Sequence, residues 1–111
     1  MFEDHGPCDV RPALFGGRGE VRVWDLLGGR AAPPFAAVLG CELTGRGSVG
    51  RHRQEHHAEI VVGVYGDGRA KVDGVEHRLG VGDVVHLPLG AVLEIENAGD
   101  PPLRYLIVKA G

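Results

Sequence analysis

Residues 82–97 read GDVVHLPLGAVLEIEN, and this stretch decides the fold class. It contains two short apolar runs, Asp83 to Leu87 and Val92 to Asn97, with Pro88 and Gly90 between them. Short apolar runs that end at Gly, Pro, Asp or Asn are typical of the strands of a β-sandwich or barrel. The stretch therefore predicts two strands separated by a turn.

The same pattern continues outward from this stretch in both directions. The Asp73-Gly74 pair predicts a tight hairpin, because these residues readily adopt the positive φ angles of a primed turn. Seven further strands are predicted, at Glu20–Leu27, Ala36–Leu43, Val49–Gln54, Glu59–Tyr65, Arg69–Val72, Val75–Leu79 and Leu103–Lys109. The sequence therefore predicts an all-β fold.

The composition excludes long helices. The 111 residues include 19 Gly and 7 Pro, which cost a helix interior about 1 and about 3 kcal/mol each relative to Ala. The longest stretch without either runs only from Arg51 to Val62. Helix bundles, coiled coils and doubly wound nucleotide-binding folds are therefore excluded. The length suits one domain, and we expect an N-terminal arm at 1–19 and a single barrel at 20–111.

Charge and cysteine content limit the environment and the partners. The 12 Lys and Arg against 15 Asp and Glu give a net charge of −3 without a basic stripe, so neither nucleic acid nor a membrane is an expected partner. The acidic N-terminus lacks the apolar run of a secretory signal, which predicts a cytoplasmic location. Cys8 and Cys41 do not form a disulfide framework. Two inert thiols are favoured over a single bridge in that compartment.

Three of the six histidines lie in residues 51–59, which read RHRQEHHAE. Imidazole and carboxylate groups together are ligands for transition metals. On one straight strand, His52 and Glu59 would point to opposite faces. They can share a site only if a turn or bulge between Glu55 and Ala58 resets the alternation. The alternative is a solvated polar loop.

Two predicted strands are apolar on both faces. They are Glu59–Tyr65 and the run from Leu103 to Val108, in which Arg104 is the exception. A strand that is apolar on both faces has a packing partner on each side. One partner is the barrel interior, and the other is a second sheet or a second subunit. We therefore predict a homodimer.

Two short motifs resemble those of the cupins, a family of small β-barrels. The resemblance covers residues 36–108. The residues that match the first motif are His52, Gln54, Glu59 and Gly66, and those that match the second are Gly82, Pro88, Gly90 and Asn97. The resemblance implies a double-stranded β-helix, which is a jelly-roll barrel. In this pattern the glycines and the proline shape turns, and Asn97 bonds to nearby backbone.

The resemblance also implies a site for a divalent transition metal inside the barrel. The family's usual ligands are two His and one Glu of the first motif and one His of the second. This sequence keeps His52 and Glu59, but it has Gln54 and Leu93 at the other two positions. A site of His52, Gln54 and Glu59 could hold Zn, Ni, Fe or Mn. His56, His57 or His86 are further ligand candidates.

These residues support three functional hypotheses. The favoured one is a barrel that binds a small molecule and has the capacity to bind a metal. The second is a metal-dependent enzyme, such as a dioxygenase, isomerase or lyase acting on a small polar substrate, with Glu59 as the candidate general base. The third is a non-catalytic ligand-binding or sensor barrel without metal, which Gln54 and Leu93 favour.

Overall fold

The computed structural model describes residues 1–111, and strands make up most of it. Its two helices are short 3-10 helices at Phe2–His5 and Leu14–Gly16, and neither has the length and hydrophobicity needed to cross a membrane. The strands are β1 Asp9–Pro12, β2 Glu20–Asp25, β3 Phe35–Leu43, β4 Ser48–Arg53, β5 Glu59–Tyr65, β6 Asp67–Val72, β7 Val75–Gly80, β8 Val84–Leu87, β9 Val92–Asn97 and β10 Leu103–Ala110. The predicted all-β class is confirmed.

The strands form two antiparallel sheets that enclose one core. The larger sheet has the order β1-β2-β3-β10-β5-β8, and the smaller one has the order β4-β9-β6-β7. Alternate residues of each strand point inward, and the inner faces of both sheets contribute to the core. Its fully buried members include Leu43, Val61, Leu79, Leu87 and Leu103. The predicted barrel architecture is thus present.

The nine predicted strands all exist, and β5 and β9 have the predicted bounds. The other bounds differ by one or two residues at an end. Strand β1 was not predicted, because its four residues are exposed and include Pro12. Such a strand carries no apolar alternation that a sequence pattern could detect. It pairs with β2 at one edge of the larger sheet.

The N-terminal segment 1–19 lies against the barrel. Phe2 is buried, its ring lies 5.7 Å from that of Trp24, and the guanidinium of Arg104 lies 5.3 Å from its centroid. A Cβ at Gly40 would lie 2.7 Å from the same ring, so this glycine makes room for Phe2. Arg104 also hydrogen-bonds Glu3, which lowers the pKa of that carboxyl to about 2.

The predicted turns have the backbone angles that the sequence indicated. Asp73 and Gly74 have φ angles of 51° and 81°, which confirms the primed hairpin turn. The φ angles of the motif glycines Gly66, Gly82 and Gly90 are also positive. These three glycines form turns of the barrel and add no side chain to its interior.

Asn97 ties the end of β9 to two other segments. Its buried amide nitrogen donates to the carbonyls of Leu43, Thr44 and Pro101 at 2.8–3.3 Å. Its amide oxygen accepts from the backbone N–H of Gly99 at 3.0 Å. The expectation that Asn97 bonds to nearby backbone is confirmed.

Candidate functional site

A cavity of about 320 Å³ lies between the two sheets. Eleven of its 20 lining residues are hydrophobic, and they belong largely to the core. Its exposed lining residues mark an opening to solvent, and they are Arg11, Phe15, Arg53, Glu55 and His56. Ligand pockets commonly measure about 300–1,000 Å³, so this cavity suits a small molecule.

A break between β4 and β5 brings His52 and Glu59 to the same cavity. Strand β4 ends at Arg53, residues 54–58 are outside any strand, and β5 begins at Glu59. This break resets the alternation in the way that a shared site requires. Gln54 is held at the break, since its backbone N–H donates to Ala91 at 2.8 Å and its carbonyl accepts from Gly90 at 2.7 Å. All three side chains line the cavity, and Gln54 and Glu59 are buried.

Glu59 forms an ion pair with Lys109 on the neighbouring strand. The two residues are directly opposite each other in the β5–β10 register. Lys109 Nζ lies 3.6 Å from Glu59 Oε2, and the side chains are 33% and 5% exposed. Both line the cavity. Lys109 is not among the site residues predicted from the sequence, although its alternation with Ile107 and Tyr105 on β10 places all three on one face.

His52 contacts an aromatic ring at the opening of the cavity. The rings of His52 and Phe15 are stacked, with centroids 4.0 Å apart and planes inclined by 16°. Phe15 adopts a left-handed backbone conformation within the second 3-10 helix. His52 Nδ1 is buried and has no hydrogen-bond partner. The segment preceding β2 therefore forms one wall of the site.

The other candidate histidines differ in position. His56 and His57 both line the cavity, and His57 Nδ1 lies 2.7 Å from the carbonyl oxygen of Ala110. His86 is exposed on β8 and is not among the lining residues, because its alternation with buried Val85 and Leu87 turns it outward. The idea that His86 replaces a missing ligand is therefore wrong.

The cavity offers an incomplete set of ligands for a transition metal. No three His, Cys, Asp or Glu side chains lie close enough together to hold one, so neither His56 nor His57 completes a group with His52 and Glu59. Leu93, opposite His52 in the β4–β9 register, is buried and offers no donor.

Two further polar residues line the cavity from the larger sheet. Tyr105 and Cys41 are opposite each other in the β10–β3 register and both are buried. Burial, reinforced by the nearby Glu59 carboxylate, raises the pKa of the Cys41 thiol to about 12. Burial also raises the pKa of Tyr105, with contributions from Cys41 and Glu59. Both groups are therefore neutral at physiological pH.

Comparison with known proteins decides the family. The model of the cupin domain matches residues 41–109, which is more than half of the chain. The chain belongs to the cupin family. The cupin barrel expected from the two motifs is thereby confirmed, and Gln54 and Leu93 are departures from the family's usual ligand set.

A relative and a solved structure, both from Thermotoga maritima, are similar to this cupin. An oxalate-binding protein is 33% identical over 94 residues, which cover 84% of this chain and 78% of that protein. A crystal structure described as a predicted oxalate decarboxylase superposes with a TM-score of 0.83 at 26% identity. The superposition covers 94% of this chain and 91% of that one.

Another similar protein is an enzyme. The dimethylsulfoniopropionate lyase DddW of Ruegeria pomeroyi is 34% identical over 87 residues. The match covers 78% of this chain but only 57% of the lyase. A binding protein and a lyase thus share this level of similarity with the chain.

Proposed function

We propose that this cupin binds a small carboxylate-bearing molecule inside its barrel. The observation that carries the proposal is the cavity of about 320 Å³, which combines apolar walls with the polar groups of His52, Gln54 and Lys109. A few convergent polar groups in an apolar pocket are typical of small-molecule sites. The oxalate-binding relative supports a carboxylate as the ligand class.

The charges around the cavity favour an anion. Three cationic side chains line it, those of Arg11, Arg53 and Lys109, against the two carboxylates of Glu55 and Glu59. Arg53 donates to the carbonyl of Gly90 at 2.7 Å and so is held at the opening. Arg11 is paired with Asp9 and Lys109 with Glu59. Arg53 has no carboxylate partner, so it is the cation at the opening that attracts a negatively charged ligand.

A metal-dependent enzyme is the second candidate function. It is favoured by His52 and Glu59, which line one cavity, and by the similarity to a lyase. In that case Zn, Ni, Fe or Mn would be held by His52, Gln54 and Glu59, and Glu59 or a nearby histidine would serve as base. The donor set described above favours the binding function over this one.

The open part of the larger sheet's outer face supports the predicted homodimer. Its apolar residues share the side of the sheet opposite the cavity, and they are Val38, Ile60, Val62, Val84, Leu106 and Val108. Ile60 is 38% exposed and Val84 is 61% exposed. A second copy of the chain could cover this face symmetrically. The homodimer and the cytoplasmic location both stay predictions.

A ligand screen with a blocked cavity tests the proposed function. The unfolding temperature is measured with a panel of small mono- and dicarboxylates, with and without divalent metal, because a bound ligand stabilises the folded state. Ile107→Phe, which adds volume to the cavity wall, is expected to abolish any stabilisation. Val81→Phe, at a site 70% exposed outside the cavity, should leave it intact. Stabilisation that survives in Ile107→Phe would contradict binding in the barrel.

A further inference from the structure

We infer that Lys109 serves as the fixed cation of this cavity in place of a metal, so that binding is metal-independent and favours a hydroxy-monocarboxylate over oxalate. This inference rests on the proposed function and specifies its ligand class. The residues that carry it are Lys109 and its partner Glu59.

The fold holds Lys109 at the cavity wall. It lies on β10 two residues beyond Ile107 and four beyond Tyr105, and all three line the cavity. Its register partner on β5 is Glu59. A cation in a sheet interior is costly unless a negative charge is close. The buried Glu59 carboxylate supplies that charge and holds the partly exposed ammonium at the cavity wall.

The ammonium group of Lys109 has N–H donors that Glu59 does not occupy. It carries three N–H donors, and its ion pair with Glu59 is 3.6 Å long, whereas charge-assisted hydrogen bonds are typically about 2.7–2.9 Å. The Lys109 side chain is 33% exposed and lines the cavity. A ligand carboxylate can therefore approach the ammonium without first displacing a tight partner.

Glu59 restricts which second functional group the ligand can have beside its carboxylate. A second carboxylate bonded directly to the first, as in oxalate, would lie close to the Glu59 carboxylate and be repelled by it. A hydroxyl group next to the carboxylate could instead donate to Glu59. The pair therefore matches a ligand such as glycolate, which has one acceptor group for Lys109 and one donor group for Glu59.

If a metal occupied the same place, replacement of Glu59 would have the opposite effect on oxalate affinity. If the carboxylate held a metal, its loss would weaken binding of any carboxylate that the metal anchors. If Glu59 only balances Lys109, its conversion to the neutral Gln removes the repulsion of a dicarboxylate. The sign of the change in oxalate affinity thus distinguishes the two arrangements.

The test is an NMR titration of the EDTA-treated protein with glycolate and with oxalate. Wild type is expected to bind glycolate more tightly than oxalate. Glu59→Gln is expected to bind oxalate at least threefold more tightly than wild type. Lys109→Met should weaken glycolate binding at least tenfold. The double variant Lys109→Met/Glu59→Gln should also weaken glycolate binding at least tenfold. Because it leaves no buried, unpaired carboxylate at position 59, it guards against misfolding as the cause.

Lys71 provides the matched control. It is the only other lysine, and it lies opposite Glu76 and Glu94 on the smaller sheet, outside the barrel cavity. Lys71→Met should bind both acids within twofold of wild type. Binding that appears only after Zn or Mn is added, or that Glu59→Gln weakens for oxalate, would overturn the inference and leave the proposed function standing. Failure of both acids to bind, with and without metal, would overturn both.

Discussion

At the residue scale, Asn97 stabilises the barrel through its buried amide. Replacement by Ala removes the donor shared by the carbonyls of Leu43, Thr44 and Pro101. An unsatisfied buried polar group costs about 1–3 kcal/mol, so Asn97→Ala should lower the free energy of unfolding by about 2 kcal/mol in urea denaturation. Glu96→Ala, at the preceding exposed position, should change it by less than about 0.5 kcal/mol. Equal effects of the two variants would contradict this role.

Burial should make the thiol of Cys41 unreactive, because burial also raises its pKa. With burial raising the pKa to about 12, only about one thiol in ten thousand is ionised at pH 8, and the thiolate is the reactive form. Both cysteines are free, and Cys8 is only half-buried. We expect Ellman's reagent to modify one thiol in the native protein and two after denaturation. Cys8→Ala should leave the native protein without a fast-reacting thiol, and rapid modification of Cys41 would count against its placement.

At the element scale, the β6–β7 hairpin depends on its turn. Gly74 has a φ angle of 81°, and a left-handed conformation costs other residues about 1–2 kcal/mol. Gly74→Ala should therefore lower the free energy of unfolding by about 1 kcal/mol. Gly74→Asn should cost less, because Asn tolerates this region better. If the Ala and Asn variants both unfolded at the same temperature as wild type, this prediction would be ruled out.

The elements also show where prediction from sequence succeeds and stops. Strand β5 was predicted to the residue because apolar residues fill it up to Gly66, and β9 because its buried and polar positions alternate between Gly90 and Gly99. Strand β1 was missed because edge pairing leaves its side chains exposed. The stacking of Phe15 on His52 joins distant segments through an irregular loop, and no periodicity encodes such a contact.

The candidate site, like the fold, could be predicted from the sequence only in part. His52, Gln54 and Glu59 were found because their spacing follows a family motif, and the structure brings them to one cavity. Lys109 was missed because the pairing of β10 with β5 is what sets it beside Glu59. That pairing is a property of the topology, and short-range spacing does not reveal it.

At the scale of the whole molecule, we predict a dimer that buries the outer face of β5, β8 and β10. Light scattering coupled to size-exclusion chromatography should give twice the chain mass of 11.8 kDa at micromolar concentration. Ile60→Asp places a charge on the apolar face and should shift the protein to monomer, because an unpaired charge is costly to bury. Val81→Asp, in an exposed turn, should leave the dimer unchanged. A monomeric wild type would contradict the prediction.

The central claim is that the barrel holds a small carboxylate against Lys109 without a metal. The most direct measurement is a crystal structure of the EDTA-treated protein grown with glycolate. We expect glycolate in the cavity, with a carboxylate oxygen within hydrogen-bond distance of Lys109 Nζ and its hydroxyl directed to Glu59. An empty cavity, or a ligand bound through a metal held by His52 and Glu59, would contradict it.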